Sequence, residues 1–194
     1  GELCSEALLG YQPADGVDAL KALNDMLDFF KARAKVQMEQ RNIRYDVIDA
    51  VLTVGFRDIT DAMKRAEALN QMLNEPEFAA VSGALKRVRN LAGKAEEVGV
   101  TPGAVNTELL NEQAERELYG AFVDLRPVLK RTLDAGHYEE FYRTATKLKA
   151  PVDAFLDNVR VNADDPAVKA NRYSLLTAVG TLLSAPADLG KLAG

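Results

Sequence analysis

Apolar residues recur along this chain at intervals of three and four positions, which is the spacing of one face of an α-helix. No stretch shows the sustained alternation of apolar and polar residues that is typical of a half-buried strand. The pattern therefore predicts an all-α helical bundle, in which each helix turns one apolar stripe toward a common core.

Four helices are predicted in the first part of the chain. The first runs from Val17 with Asp15 as its N-cap, the second covers 44–52, the third is capped by Asp58, and Pro76 opens the fourth. The expected stripes are Leu20, Leu23, Leu27 and Phe30; Val47, Ile48, Val51 and Leu52; Ile59, Met63, Ala66, Leu69 and Met72; and Phe78, Val81, Leu85, Val88 and Ala92.

An irregular stretch over 98–112 interrupts the helices, and its glycines and proline predict a loop. A long helix over 114–133 should follow, with Pro127 kinking or breaking it and Gly136 as the residue just past its end. Three further helices are predicted over 137–148, from Pro151 and from Pro166.

Composition restricts the function classes that fit the chain. It has 194 residues, of which 47% are hydrophobic and 27% charged, as in an ordinary globular protein. Cys4 and His137 are the only residues of their types, so cysteine-based zinc sites and multi-histidine chemistry are excluded. No run is apolar enough to cross a bilayer and no secretory signal is visible. We therefore expect no catalytic or metal site in this chain.

The net charge of −5 is unevenly distributed. Residues 1–80 carry nine Lys and Arg against fourteen Asp and Glu, whereas 81–194 carry fifteen of each. This shift and Pro76 predict a domain boundary within 75–81, which separates a helical connector (1–80) from a second domain (81–194).

The predicted fourth helix has a basic face. Between Ser82 and Ala95 there are four cations and no acid, and helical geometry places the cations and one asparagine on the arc opposite the apolar stripe. A positive face of this kind attracts phosphates, although it can equally be a solvated face whose cations pair with neighbouring acids. The residues of this basic arc are Lys86, Arg87, Arg89, Asn90 and Lys94.

Four stretches in a fixed order carry a family resemblance. They are Arg-Tyr-Asp-Val-Ile-Asp-Ala-Val-Leu (44–52), Leu-Lys-Arg-Val-Arg-Asn-Leu (85–91), Pro-Val-Asp-Ala-Phe-Leu-Asp-Asn-Val-Arg-Val (151–161), and the segment from Asp-Asp-Pro (164–166) to Asn-Arg-Tyr-Ser-Leu-Leu (171–176). In this order they resemble the C-terminal third of the β subunit of the bacterial-type glycyl-tRNA synthetase. Residues 81–194 resemble the helical anticodon-binding domain that this subunit shares with arginyl-tRNA synthetase.

The resemblance implies a cytoplasmic, all-α chain that binds the anticodon region of glycine tRNA and orients the tRNA for aminoacylation elsewhere. Its partners would be glycine tRNA, the remainder of the β subunit and the α subunit, with no membrane and no DNA. ATP and Mg²⁺ would be bound only by the α subunit, so this chain would need no cofactor. The alternative from another class is a non-catalytic helical module for protein contacts, which the acidic total charge favours.

Base-reading residues are expected near the end of the helix that begins at Pro151. Glycine anticodons carry two cytosines, and a carboxylate beside a guanidinium matches the donor and acceptor edge of cytosine. Asp157 and Arg160, which fall on one flank of this helix, would supply the pair, with Asn158 beside them. The other interpretation is an ordinary ion pair on a solvated face.

Two further expectations concern the second domain. Arg172 would either contact an RNA phosphate or pair with Asp164 or Asp165. Most aromatic rings should be buried; if any ring is exposed for base stacking, the candidates are Tyr138, Tyr142 and Tyr173, since a phenol tolerates water at its tip.

Overall fold

The computed structural model describes residues 19–56 and 58–193, and its regular structure there consists of α-helices joined by loops and short 3₁₀ turns. This confirms the all-α prediction. The helices are α1 (Ala19–Gln40), α2 (Tyr45–Thr53), α3 (Ile59–Met72), α4 (Pro76–Gly93), α5 (Gln113–Asp134), α6 (Tyr138–Ala145), α7 (Lys149–Asn158) and α8 (Pro166–Leu183). The 3₁₀ turns are Glu96–Val98, Thr107–Leu109, Thr146–Leu148 and Leu189–Lys191.

Several predicted helix starts are confirmed. The Asp58 carboxylate accepts the backbone N–H of Thr60 at 2.9 Å and so caps α3. Pro76 and Pro166 occupy the first turns of α4 and α8, where a missing N–H costs no hydrogen bond. Asp165 caps α8 by accepting the backbone N–H of Ala167 at 2.7 Å.

Helix α5 ends as predicted. Gly136 has φ +70°, its N–H donates to Leu133, and the next N–H, that of His137, donates to Thr132 at 2.8 Å. These two bonds form a Schellman motif, which satisfies carbonyls that the helix end would otherwise leave unpaired. Pro127 does not break α5, which continues through it to Asp134.

Other boundaries and faces differ from the predictions. Helix α6 ends at Ala145 and tightens into a 3₁₀ turn, and α7 begins at Lys149, two residues before Pro151. Leu20, expected in an apolar stripe, is 73% exposed. The N-cap predicted at Asp15, the helix start at Val17 and the side chain of Leu23 lie outside the described residues. Among the helices over 19–56 and 58–193, none combines the length and apolar character that a bilayer span requires.

One apolar core connects the connector to the second domain. Most buried apolar residues from Met38 to Leu192 belong to one cluster, and α4 crosses residue 80 inside it. Ala95, Val100 and Tyr173 form a second, smaller cluster. Helix α4 packs most extensively on α8, where Gly180 allows close approach because a Cβ there would lie 3.4 Å from the Cα of Arg89. The division at residue 80 remains a prediction, and packing makes the two sides interdependent.

The last residues of the chain return to the connector. Asp46 is buried at the start of α2, and its carboxylate accepts the backbone N–H of Ala193 at 2.7 Å, the N–H of Val47 at 3.0 Å and the guanidinium of Arg44. Leu189 and Leu192 are buried beside it. The C-terminal turn is thereby held against both α2 and α4.

Asp46→Asn should destabilise the fold most near neutral pH. Burial by itself would raise the pKa of Asp46, but the hydrogen bonds from Ala193 and Arg44, the Arg44 charge and the Val47 N–H leave it below its ordinary value of 3.8. A lowered pKa adds stability above pH 3.8 that is lost as the pH falls through the folded-state pKa. We expect the substitution to lower the free energy of unfolding by about 1–3 kcal/mol at pH 7 and by less below pH 4. Urea unfolding at both pH values is the measurement.

Asp49→Asn is the matched control, because Asp49 is exposed on the same helix. An equal loss for Asp46→Asn at acid and neutral pH would contradict the assignment.

Candidate nucleic-acid interface

Helix α4 presents the predicted division into an apolar and a basic face. Phe78, Val81, Leu85, Val88 and Ala92 are all buried, as the stripe predicted. The C-terminal segment covers part of the opposite side: the ammonium of Lys86 donates to the carbonyl of Leu192 and is half-buried. This cation therefore has an internal partner.

Arg89 and Asn90 also meet the C-terminal turn. Arg89 pairs with Asp188 at 3.2 Å. The Asn90 amide oxygen lies so close to Gly190 that a Cβ there would be only 2.7 Å away. Together with Lys94 and Lys191 these residues line a polar cavity of about 440 Å³. The pairing with acids that the alternative interpretation invoked is thus present at Arg89.

Arg87 and Lys94 are exposed, and neither has an ion pair within 19–56 or 58–193. They are the members of the basic arc that can bind a phosphate without first breaking a contact. Lys191, which the sequence analysis missed, adds a third exposed cation at the rim of the cavity. Lys191 reaches this surface because the C-terminal turn packs back on α4. No pattern in the sequence predicts that long-range contact.

The predicted base-reading residues are exposed, but they do not share one helical flank. Helix α7 ends at Asn158, whose amide donates to the carbonyl of Ala154 at 2.8 Å. Arg160 therefore lies beyond the helix, and it pairs with Asp164 at 3.3 Å instead of with Asp157. The prediction that Asp157 and Arg160 form a pair on one flank of the helix is therefore wrong. The extended backbone of Val159 turns the chain out of the helix before Arg160. Asp157 remains exposed at the last turn.

Arg172 has neither of its predicted roles. It is 6% exposed, and its guanidinium pairs with the fully buried Glu115 at 2.8 Å and with Glu112 at 3.7 Å. A phosphate cannot reach a group in this position. Pairing with Asp164 or Asp165 is also wrong, because Asp164 pairs with Arg160 and Asp165 caps α8.

Arg172 does have an indirect connection to the candidate interface. Its guanidinium also donates to the backbone carbonyl of Arg160 at 2.8 Å. The buried pair with Glu115 therefore fixes the loop that carries Arg160. Glu115 in turn accepts the backbone N–H of Glu112 at 2.7 Å, which ties the start of α5 to the same cluster.

The first half of α8 also holds the irregular stretch before α5. The Asn171 amide both accepts the backbone N–H of Asn106 at 2.7 Å and donates to its carbonyl at 2.9 Å. Ser174 accepts the N–H of Gly103 at 3.0 Å, and Lys169 donates to the carbonyl of Val98 at 3.0 Å. Helix α8 therefore holds this stretch and, through Arg172, the loop that carries Arg160.

The three tyrosines proposed as stacking platforms are buried, with exposed fractions of 7% for Tyr138, 1% for Tyr142 and 1% for Tyr173. The Tyr138 hydroxyl donates to Asp61, and burial together with this carboxylate raises its pKa to about 12. The expectation that most rings are core residues is confirmed. The three tyrosines named as candidates for an exposed ring are not exposed. Tyr45 is 72% exposed instead.

Residues 81–189 match the family described as DALR anticodon binding domain. The chain is also similar over most of its length to proteins named glycine–tRNA ligase beta subunit. Identity is 34% for that of Delftia acidovorans (96% of this chain and 26% of the relative), 35% for Desulforamulus reducens (98% and 27%), and 36% for Methylobacillus flagellatus (89% and 24%). The chain thus spans about a quarter of the length of these curated relatives.

Arg172→Met should destabilise the fold by about 3–5 kcal/mol, because it leaves the Glu115 carboxylate buried without a counterion. The same substitution should cost less in a Glu115→Gln background, where no charge is left unpaired. Urea unfolding of the two single variants and the double variant measures this coupling. Equal costs in both backgrounds would contradict the buried pair. If Arg172 contacted an RNA phosphate, Arg172→Met would instead reduce the salt dependence of RNA binding.

Proposed function

Because this chain belongs to the DALR anticodon binding domain family, we propose that it is the anticodon-binding portion of a glycine–tRNA ligase β subunit. It would bind glycine tRNA and orient it for aminoacylation at a site outside this chain. The match of residues 81–189 to an anticodon-binding family carries this proposal, and similarity to β subunits over most of the chain supports glycine as the amino acid. ATP and Mg²⁺ would be bound by the α subunit, and the complex would work in the cytoplasm.

The proposed mechanism is positioning by binding energy. Arg87 and Lys94 on α4 and Lys191 on the C-terminal turn would hold phosphates, since all three are exposed. Lys94 and Lys191 line the polar cavity, and Arg87 lies seven residues before Lys94 on the same side of α4. Lys86 and Arg89 would join them only if their contacts with Leu192 and Asp188 were exchanged for RNA. Asn90, Asp157, Asn158 and Arg160 remain candidates for base contacts.

Contact with the remainder of the β subunit is the second part of the proposal. Phe29 is 62% exposed and Val36 is 51% exposed, and their spacing of seven residues places them on one side of α1. Two exposed apolar side chains on one side of a helix favour a protein contact there. It is also the observation that favours the alternative, in which the chain serves only for assembly within the synthetase.

Glycine tRNA should bind this chain in preference to a non-cognate tRNA, and more weakly as salt increases. The expected salt dependence follows from the release of counterions when phosphates bind the basic arc of α4. Fluorescence anisotropy with both labelled tRNAs, titrated at several salt concentrations, is the measurement. Equal affinity for the two tRNAs, or binding of neither at low salt, would favour the assembly role instead.

Arg87→Ala/Lys94→Ala should weaken the binding of all tRNAs alike. The salt slope should fall by about 0.7–0.9 for each lost phosphate contact. Lys64→Ala/Lys147→Ala is the matched control, because it removes two exposed cations from other elements. An unchanged slope in the α4 variant would show that this face does not meet phosphates.

A further inference from the structure

A groove of about 680 Å³ lies between α5 and α8 and is closed at one end by the loop over 102–105. Direct packing between these two helices is limited, so their facing sides remain partly open. The side chains that α5 contributes are Tyr119, Phe122, Val123, Arg126 and Lys130, and those from α8 are Ser174, Thr177, Ala178, Thr181 and Leu182. Of the four family-like stretches, only the fourth contributes to the lining, through Ser174.

The groove has a positive character that the whole chain lacks. None of the residues that line it is Asp or Glu, although the chain carries a net charge of −5. Arg126 and Lys130 are exposed four residues apart on α5, and neither has an ion pair within the described ranges. By contrast, the larger cavity beside α3 has Asp58 and Asp61 in its wall together with Lys31 and Arg65, so its lining charges balance. The groove therefore favours an anionic occupant.

One part of the groove wall is apolar and includes an aromatic ring. Tyr119 is half-buried, Val123 is 44% exposed, and Leu182 is partly buried opposite them. The hydroxyl oxygen of Thr177 is buried there without a hydrogen-bond partner in the described part of the chain. A flat ring with a polar edge would fill such a site, because stacking satisfies the apolar wall and an edge atom can pair with the hydroxyl.

We propose that this groove receives an unstacked nucleotide from the single-stranded loop of the bound tRNA. Its base would lie against Tyr119 and Val123, and the adjoining phosphates would meet Arg126 and Lys130. This combination of an aromatic wall with neighbouring cations is how proteins hold single-stranded nucleic acid with little sequence preference. The inference rests on the proposed tRNA-binding function and adds a second contact site to it.

The groove and helix α4 lie on different sides of α8. Gly180 of α8 contacts α4 at Arg89, while the next two residues, Thr181 and Leu182, line the groove. The loop over 102–105 that closes the groove is in turn fixed by the bond from Gly103 to Ser174.

A fluorescent reporter tests base stacking directly, because the chain contains no tryptophan. Tyr119→Trp places one indole in the groove wall, and Val123→Trp places it at the exposed rim as a second reporter. Titration with an RNA stem–loop of the glycine tRNA anticodon arm should quench both. Tyr45→Trp, which is exposed on α2, is the control and should be quenched much less.

Affinity measurements test the phosphate contacts. Arg126→Ala/Lys130→Ala should weaken stem–loop binding by about tenfold and reduce its salt dependence. Arg131→Ala/Lys147→Ala removes the same charge from exposed positions outside the groove and should change affinity by no more than about twofold. Far-ultraviolet circular dichroism checks that each variant keeps its helices.

The outcomes separate the two proposals. If the unmodified chain binds glycine tRNA but the groove variants bind equally well and neither groove indole is quenched, the groove assignment is overturned while the tRNA-binding function stands. If the unmodified chain binds neither glycine tRNA nor the stem–loop at low salt, both are overturned. Quenching of the groove indoles together with the charge-specific loss of affinity supports the assignment.

Discussion

The pairing of Arg172 with Glu115 inside the domain is the interaction on which the candidate interface depends. Two charges without solvent are costly unless each has a partner, so the guanidinium and the carboxylate must keep their geometry. That geometry extends outward, because Arg172 also holds the carbonyl of Arg160 and Glu115 holds the N–H of Glu112. The buried ion pair thus sets the position of the exposed loop that carries Arg160.

Helix α8 also fixes the position of a second loop, the irregular stretch over 98–112. Its polar residues hold the stretch before α5 through hydrogen bonds to backbone groups, while its apolar residues join the core. These hydrogen bonds hold the loop by its backbone groups. The domain can therefore present a fixed loop beside its helical surfaces.

The C-terminal turn has a comparable influence on the basic face of α4. Through Asp188 and the carbonyl of Leu192 it engages Arg89 and Lys86, and it contributes Lys191. The Asp46 carboxylate fixes the end of this segment to α2. The connector thereby helps to shape a surface that belongs to the second domain, which explains why one continuous core joins them.

The sequence alone determines the helices, their caps and the buried stripe of α4, because these are local features. Asp58, Gly136 and Pro166 act within a few residues of their own positions, so their roles can be derived from spacing alone. The same holds for the opposition of an apolar and a basic face on α4, because helical periodicity fixes it.

The tertiary structure alone decided which charges are free. Arg172 meets Glu115 across 57 residues, and Arg89 meets Asp188 from the far end of the chain. Arg160 pairs with Asp164 because α7 ends earlier than its apolar pattern indicated. The groove beside Arg126 and Lys130 likewise exists only where two distant helices diverge. Ion pairing and cavity shape depend on long-range packing, for which the order of residues along the chain carries no direct signal.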